Sequence, residues 1–177
     1  MLATLLDFVR TMMVLSVCLG CASCAIRNEY PPDWPLLAQM KPDCSKIAGA
    51  YKERGARLEG LSDKFFGDMG SSRDYIEISY SPDSVEVISF GRGQPSWVKK
   101  FTRQDGNFSC VNGRVELSFS RGCRVCPGAT YENLKASLVK ADDGSLIVQT
   151  EGVGAYLAFF IIPAASTYNT WDRYFPR

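Results

Sequence analysis

The feature that most constrains the fold is an alternation of apolar and polar residues that runs, between short turn sequences, from residue 74 to residue 150. Alternation with a period of two is typical of a β-strand that buries one face. Two of the turn sequences are specific, because Asn112-Gly113 is typical of a two-residue hairpin and Asp142-Asp143-Gly144 favours a tight turn. Neighbouring strands are therefore expected to be antiparallel and joined by short loops.

The predicted strands are 74–80, 84–90, 97–103, 107–111, 114–120, 130–140, 145–150 and 156–162. Residues Tyr156–Ile162 are all apolar, which predicts a central strand buried on both faces or a lipid-facing strand. About seven or eight antiparallel strands predict a mainly β domain, either a barrel, for example a lipocalin-like one, or a sandwich. A short helix near Leu61–Phe66, capped by Ser62, is expected before the first of these strands.

The N-terminal residues predict export. The run Thr11–Cys18 is uncharged and largely apolar but too short to span a bilayer, which takes about 20 residues. Such a run followed by small residues is typical of a signal peptide, so residues 1–20 are expected to be a signal. Residues 21–42 are rich in proline and predict an extended tether, with Tyr30 and Trp34 either docked on the domain or placed at the lipid interface. The folded domain is then 43–177.

The sequence Val17-Cys18-Leu19-Gly20-Cys21-Ala22-Ser23 resembles the lipobox of bacterial lipoproteins. The resemblance implies cleavage before Cys21 and attachment of a diacylglycerol to its thiol. Because Ala22 rather than Asp follows, it also implies an outer-membrane lipoprotein that faces the periplasm or the cell surface. Cys24 is the alternative lipidation site. An ordinary secretory signal cut near Ala22 or Ala25 and an uncleaved anchor are the other interpretations of this segment.

Short motifs further along the chain are similar to those of small proteobacterial lipoproteins. These motifs are Cys44 followed by Ile47-Ala48-Gly49-Ala50-Tyr51, the hairpin Phe108–Gly113 and the aromatic ending Trp171–Phe175. The likeness extends over most of the chain that follows Cys21. It implies a location in the envelope, and it implies no particular activity, because this group of lipoproteins has no established one.

The cysteines are used in the manner of a protein that folds in an oxidising compartment. Cys44, Cys110, Cys123 and Cys126 lie in the predicted domain, and this even set favours two disulfides with three possible connectivities. A two-residue gap strains a bond between Cys123 and Cys126, so each of them is expected to pair with a distant cysteine. A zinc site formed by the four thiolates and a redox-active dithiol at Cys123 and Cys126 are the alternatives.

The chain contains no histidine, which removes the commonest general base and the commonest zinc or copper ligand. Its 20 Lys and Arg residues against 19 Asp and Glu residues leave a formal charge of +1, without a basic cluster that predicts binding to nucleic acid. Apart from the four-cysteine alternative, the sequence contains no metal-binding motif and no cofactor fingerprint. No cofactor and no catalysis are therefore expected.

These features predict a bacterial envelope lipoprotein that acts as a non-enzymatic binding or structural module, anchored in the membrane and in contact with another envelope protein. An alternative of a different class is a lipocalin-like carrier of a small apolar ligand, with Trp97, Phe101 and Tyr156 lining its cavity. The third interpretation is an enzyme, which requires a glutamate that meets another ionisable group in the main pocket. The glutamates considered for this role are Glu77, Glu86, Glu116 and Glu132.

Overall fold

The computed structural model describes residues 24–27, 29–35, 43–55, 60–66, 73–122, 131–158 and 162–177. Within these residues the chain is mainly β. Its strands are β1 (Cys24–Arg27), β2 (Gly49–Lys52), β3 (Tyr75–Ser81), β4 (Ser84–Gly91), β5 (Gln94–Thr102), β6 (Phe108–Val111), β7 (Arg114–Gly122), β8 (Tyr131–Lys140), β9 (Leu146–Ala158) and β10 (Ile162–Tyr174). A 3₁₀ helix spans Cys44–Ile47, and the short helix expected from the sequence is α1, Leu61–Phe66.

The strands form two sheets that pack face to face. The larger sheet has the order β1-β10-β9-β8-β7-β6, and the smaller sheet has the order β2-β3-β4-β5. Neighbouring strands are antiparallel except for β1, which runs parallel to β10. The mainly antiparallel β fold is confirmed. Of the two architectures expected, the described strands form the sandwich, and the barrel, including its lipocalin-like form, is not what they build.

The turn sequences explain the hairpins. Asn112 and Gly113 have φ values of 52° and 76° and join β6 to β7. Positive φ at both central residues suits the right-handed twist of the flanking strands, and Asn and Gly tolerate it best. Arg92 and Gly93 repeat this geometry between β4 and β5, with φ values of 52° and 73°. The loop after β4 is therefore a tight hairpin.

The apolar segment Tyr156–Ile162 is not one strand. Ala158 of β9 pairs with Ile162 of β10, so the chain reverses between these two residues. The strand before this segment is longer than predicted, because β9 continues from Leu146 through Gly152 and Gly154 without a break. Gly152 is required in the strand, since a Cβ at this position would lie 2.5 Å from the ring of Tyr168.

The space between the sheets is filled by aromatic and aliphatic side chains. α1 contributes Leu61 and Phe65, both 0% exposed. The ring of Phe65 lies 6.3 Å from that of Phe101 in the smaller sheet and 5.8 Å from that of Phe119 in the larger sheet. Phe101 and Phe119 are themselves 5.7 Å apart. One cluster of rings therefore holds α1 against both sheets.

A disulfide joins Cys44 of the 3₁₀ helix to Cys110 of β6, the edge strand of the larger sheet. Because Cys44 and Cys110 are bonded to each other, neither is available to Cys123 or Cys126. The expectation that those two cysteines pair with these distant partners is therefore wrong. Cys123 and Cys126 themselves lie outside the described residues.

Part of the segment predicted as a tether lies on the domain. β1 pairs with β10, and Cys24 lies opposite Ser166. Further along, the ring of Tyr30 is 5.0 Å from that of Trp171 and 5.7 Å from that of Trp34, which is only 8% exposed. Aromatic pairs in this edge-to-face geometry favour a fixed contact over a free chain.

The residues after β10 connect the two sheets. The backbone N–H of Lys52 donates to the carbonyl of Phe175 at 2.9 Å, and that of Arg177 donates to the carbonyl of Ala50 at 3.0 Å. Tyr51 and Pro176 form an isolated antiparallel bridge. The chain that leaves the larger sheet at Tyr174 thus continues along the edge of the smaller sheet at β2.

Candidate functional site

The outward face of the larger sheet contains an open groove of about 820 Å³. Strand alternation separates it from the core, because Leu134 and Ala136 are buried whereas Lys135 between them is exposed. The outward residues of β7 to β10 that line the groove are mostly hydroxyl, amide or charged: Ser118, Ser120, Asn133, Lys135, Glu151, Val153, Thr167 and Asn169. The groove therefore presents hydrogen-bonding groups of both kinds and charges of both signs.

The loop at residues 103–107 forms one wall of this groove and is held by hydrogen bonds of its backbone and side chains. The carbonyl of Asn107 accepts from the N–H of Ser118 at 2.9 Å, and its Oδ1 accepts from the N–H of Thr102 at 2.7 Å. Thr102 Oγ1 donates to Asp105 Oδ2 at 2.6 Å. Gly106, with φ of 67°, makes the turn between them. The wall is therefore built into the fold.

A second groove of about 270 Å³ adjoins the first and shares Lys135 and Glu151 with it. These two residues are direct neighbours across β8 and β9. Gln149 Nε2 donates to Glu151 Oε1 at 3.0 Å and to Asn169 Oδ1 at 3.3 Å. The shared region is thus a polar surface on which Gln149, Glu151 and Asn169 already hold one another in place, which suits recognition of a polar partner.

The residues predicted to line a carrier cavity lie in different environments. Phe101 is 1% exposed in the core, whereas Trp97 on the same edge strand is 42% exposed. Lys99, between them, donates from Nζ to the carbonyl of Phe65 at 3.0 Å and lies 4.5 Å from the ring centroid of Phe119. Tyr156 belongs to β9, and its side chain is outside the described part of the chain. Trp97 and Phe101 do not come together around a common cavity.

The four glutamates considered for catalysis are spread over the molecule. Glu77 and Glu86 lie on the outward side of the smaller sheet, since Ile76, Ile78, Val85 and Val87 face inward. Glu116 lines the smaller groove, which Lys135 and Glu151 also line. Glu132 accepts from the hydroxyl of Tyr168 at 3.4 Å. Of the four, Glu116 shares the smaller groove with charged residues.

Sequence reasoning missed a buried ion pair beneath α1. Lys64 Nζ lies 2.8 Å from Asp172 Oδ2 of β10, and the two side chains are only 2% and 4% exposed. Lys64 Nζ also donates to Thr150 Oγ1 at 3.5 Å. One signal in the sequence is the strand alternation. Thr150 lies two residues from Val148, and Asp172 lies two residues from Tyr174, so both polar residues share the inward face of their strands.

A second polar contact fixes the start of α1. Glu53 accepts from the N–H of Ser62 at 3.0 Å and from its hydroxyl at 2.6 Å, and the hydroxyl of Ser62 lies 2.8 Å from that of Ser89. Burial raises the pKa of Glu53 above its ordinary value, although these hydrogen bonds oppose the shift. Ser62 is therefore not the helix cap expected from the sequence. Instead, the N–H of Ser62 donates to the carboxylate of Glu53, which lies in the segment before the helix.

The lipidation candidates lie at the margin of the structure. Cys21 is outside the described residues, and Cys24 is the first residue of β1. The stretches described include no group of three His, Cys, Asp or Glu residues placed to hold a metal ion. None of their helices is long and apolar enough to cross a membrane.

Comparison with known proteins adds no relative to this picture. No protein-family model, curated protein or solved structure matches the chain.

Proposed function

We propose that this protein is an exported lipoprotein of the bacterial envelope, anchored at the outer membrane by an acylated Cys21. Its sandwich domain is a non-enzymatic module that binds another envelope protein through the polar groove on the outward face of the larger sheet. The partner presents a polar surface with both acidic and basic groups, because Lys135 and Glu151 stand side by side in the groove.

The observation that carries this proposal is the contrast between the interior and the outer face. Between the sheets, the rings of Phe65, Phe101 and Phe119 pack at 5.7 to 6.3 Å, where a lipocalin-like carrier would need an apolar cavity. Outside, the larger sheet offers an open groove of about 820 Å³. A filled core with a structured polar groove favours a binding module over a carrier.

Export is supported by the disulfide between Cys44 and Cys110. Such bonds persist in oxidising compartments and are rare in the cytosol. Together with the apolar run Thr11–Cys18, the bond favours a protein that folds after translocation. The placement at the outer membrane rests on the lipobox resemblance.

Acylation is expected to depend on Cys21. Intact-mass measurement of protein extracted from membranes should show the mass of the mature chain starting at Cys21 plus acyl groups, because only the cysteine after the cleavage site carries the lipid. Cys21→Ser should abolish this increment, whereas Cys24→Ser, as the matched control, should leave it unchanged. Acylation lost in Cys24→Ser instead would move the site, and an unmodified soluble product would contradict the anchor.

Partner binding is expected to depend on the charges in the groove. A photo-crosslinking residue at Ser118 should give a discrete adduct in intact cells, and the double reversal Lys135→Glu/Glu151→Lys should reduce its yield at least about tenfold, the scale of one lost interfacial contact. Both side chains are exposed, so the fold should tolerate the change.

The matched control uses the equivalent pair on the other sheet. Glu86 and Lys100 are neighbours across β4 and β5, and their reversal changes the same charges away from the groove. It should leave the adduct unaffected. An equal loss in both double variants, or an adduct from Ser118 that survives the groove reversal, would show that the groove is not the binding surface.

A further inference from the structure

The outward face of the larger sheet is open at one end and covered at the other. On this face of β8 and β9, Lys135 and Glu151 are exposed, whereas Val139 and Ile147 are only 4% and 1% exposed. Between the two ends lies Gln149, which points outward and is half-buried. Gln149 therefore stands at the boundary between the grooves and the covered end.

The N-terminal segment that docks on the domain reaches this boundary. We call residues 29–35 the strap. The ring of Tyr30 lies 5.7 Å from that of Trp34 within the strap and 5.0 Å from that of Trp171 on β10. Trp171 is the direct neighbour of Gln149 across β9 and β10, and direct neighbours on one face have Cβ atoms about 4.5–5.5 Å apart. The strap thus packs on the residue beside Gln149.

Gln149 uses its side-chain amide to hold two residues of the groove. Its Nε2 donates to Glu151 Oε1 at 3.0 Å and to Asn169 Oδ1 at 3.3 Å. An amide nitrogen carries two N–H groups, so these two bonds use both of them. The amide of Asn169 therefore has its oxygen on the Gln149 side and its Nδ2 donors on the other side. Glu151 keeps Oε2 as an acceptor beside them.

The strand register places these groups in one row across the sheet. Lys135, Glu151 and Asn169 are direct neighbours on β8, β9 and β10, and neighbouring strands lie about 4.8 Å apart. All three residues line the larger groove. The row presents an ammonium donor, a carboxylate acceptor and an amide donor in that order. A complementary surface offers an acceptor, a donor and an acceptor at the same spacing.

We propose that Gln149 is a positioning residue that fixes this order, and that the groove recognises a carboxylate, a cationic group and a carbonyl in the same order on the partner protein. The inference deepens the proposed function and rests on it, because it takes the groove as the binding surface. The strap supports Gln149 from the other side, through Trp171. Recognition in the groove then depends on the strap, although none of the described residues that line the grooves belongs to it.

The test begins with Gln149→Met, which keeps the length of the side chain and removes both hydrogen bonds. The yield of the adduct from the photo-crosslinking residue at Ser118 should fall at least about fivefold in intact cells, the scale of one hydrogen bond. Gln149→Glu, which keeps the shape but cannot donate, should lower the yield at least as much. Ser137→Ala is the matched control, since Ser137 is the half-buried neighbour of Gln149 on β8. It should leave the yield unchanged.

A second measurement reports the positioning without the partner. In the purified protein, the side-chain ¹H–¹⁵N resonances of Asn169 should shift in Gln149→Met and in Tyr30→Ala, but not in Ser137→Ala. Unchanged resonances in Gln149→Met would overturn the positioning role and leave the proposed function intact.

Shifted resonances with an undiminished adduct would show that the partner does not read this order, and the inference would fail while the groove remains the binding surface. A wild-type protein that gives no adduct from Ser118 would instead overturn the proposed function and the recognition with it. The Asn169 resonances would still decide whether Gln149 holds the row in place.

Discussion

Asp172→Asn is expected to lower the free energy of unfolding by about 3–5 kcal/mol, the range for breaking a buried ion pair from one side. Asp172 and Lys64 are 4% and 2% exposed in their side chains, and Nζ lies 2.8 Å from Oδ2. An amide in place of the carboxylate leaves the ammonium group of Lys64 buried without a counter-charge. Urea unfolding of the purified domain, followed by circular dichroism, measures the loss.

Two further variants separate charge from packing. Asp143→Asn removes the carboxylate of a partly exposed pair with Arg173, which lies on the same strand as Asp172, and it should cost less than about 1 kcal/mol. The double variant Lys64→Met/Asp172→Leu removes both buried charges and should recover most of the stability lost by Asp172→Asn. If the double variant is less stable than Asp172→Asn, the ion pair itself stabilises the fold and the desolvation argument fails.

Removal of the Cys44–Cys110 disulfide is expected to cost about 2–5 kcal/mol. The bond closes a loop with a sequence separation of 66 and ties the 3₁₀ helix before the smaller sheet to the edge of the larger one. Without it, the unfolded chain gains conformational freedom, and the two sheets keep fewer links at this edge. Cys44→Ala/Cys110→Ala should therefore lower the urea midpoint, and reductant should lower the midpoint of the parent by a similar amount.

Cys123→Ser/Cys126→Ser is the control for this effect. It keeps the Cys44–Cys110 bond, so its midpoint should still fall on addition of reductant, whereas that of Cys44→Ala/Cys110→Ala should not fall by the same amount. Non-reducing peptide mapping completes the test. A peptide that joins Cys44 to Cys123 or Cys126 would contradict the connectivity.

The hairpins were predictable because their causes are local. Asn112-Gly113 specifies positive φ at two successive residues, and alternation on both sides specifies which face is buried. The prediction of one strand at Tyr156–Ile162 is wrong because this segment contains no local turn signal, although Ala158 pairs with Ile162. An apolar run carries no information about where the chain reverses, and Gly152 and Gly154 look like strand breaks unless the ring of Tyr168 on the next strand is known.

The candidate site was less predictable than the fold. The lining residues of the groove are ordinary outward positions of β7 to β10, and only the register of these strands brings Lys135 next to Glu151. The same holds for the disulfide, because four cysteines permit three connectivities and the packing of the 3₁₀ helix against β3 and β8 brings Cys44 to Cys110. In both cases the deciding contact joins residues far apart in sequence.

The position of β10 also determines the order in which the protein can assemble. This strand lies between β1 and β9, and the residues after it form hydrogen bonds with β2. Residues 162–177 are therefore needed for the pairing of β1 in the larger sheet and of the outer edge of β2 in the smaller sheet. A chain that emerges N-terminus first must keep β1 and the outer edge of β2 unpaired until residues 162–177 have followed. Non-local pairing of this kind folds slowly, and exposed strand edges attract other chains. A chaperone that shields these edges would therefore act on the protein before residues 162–177 are in place.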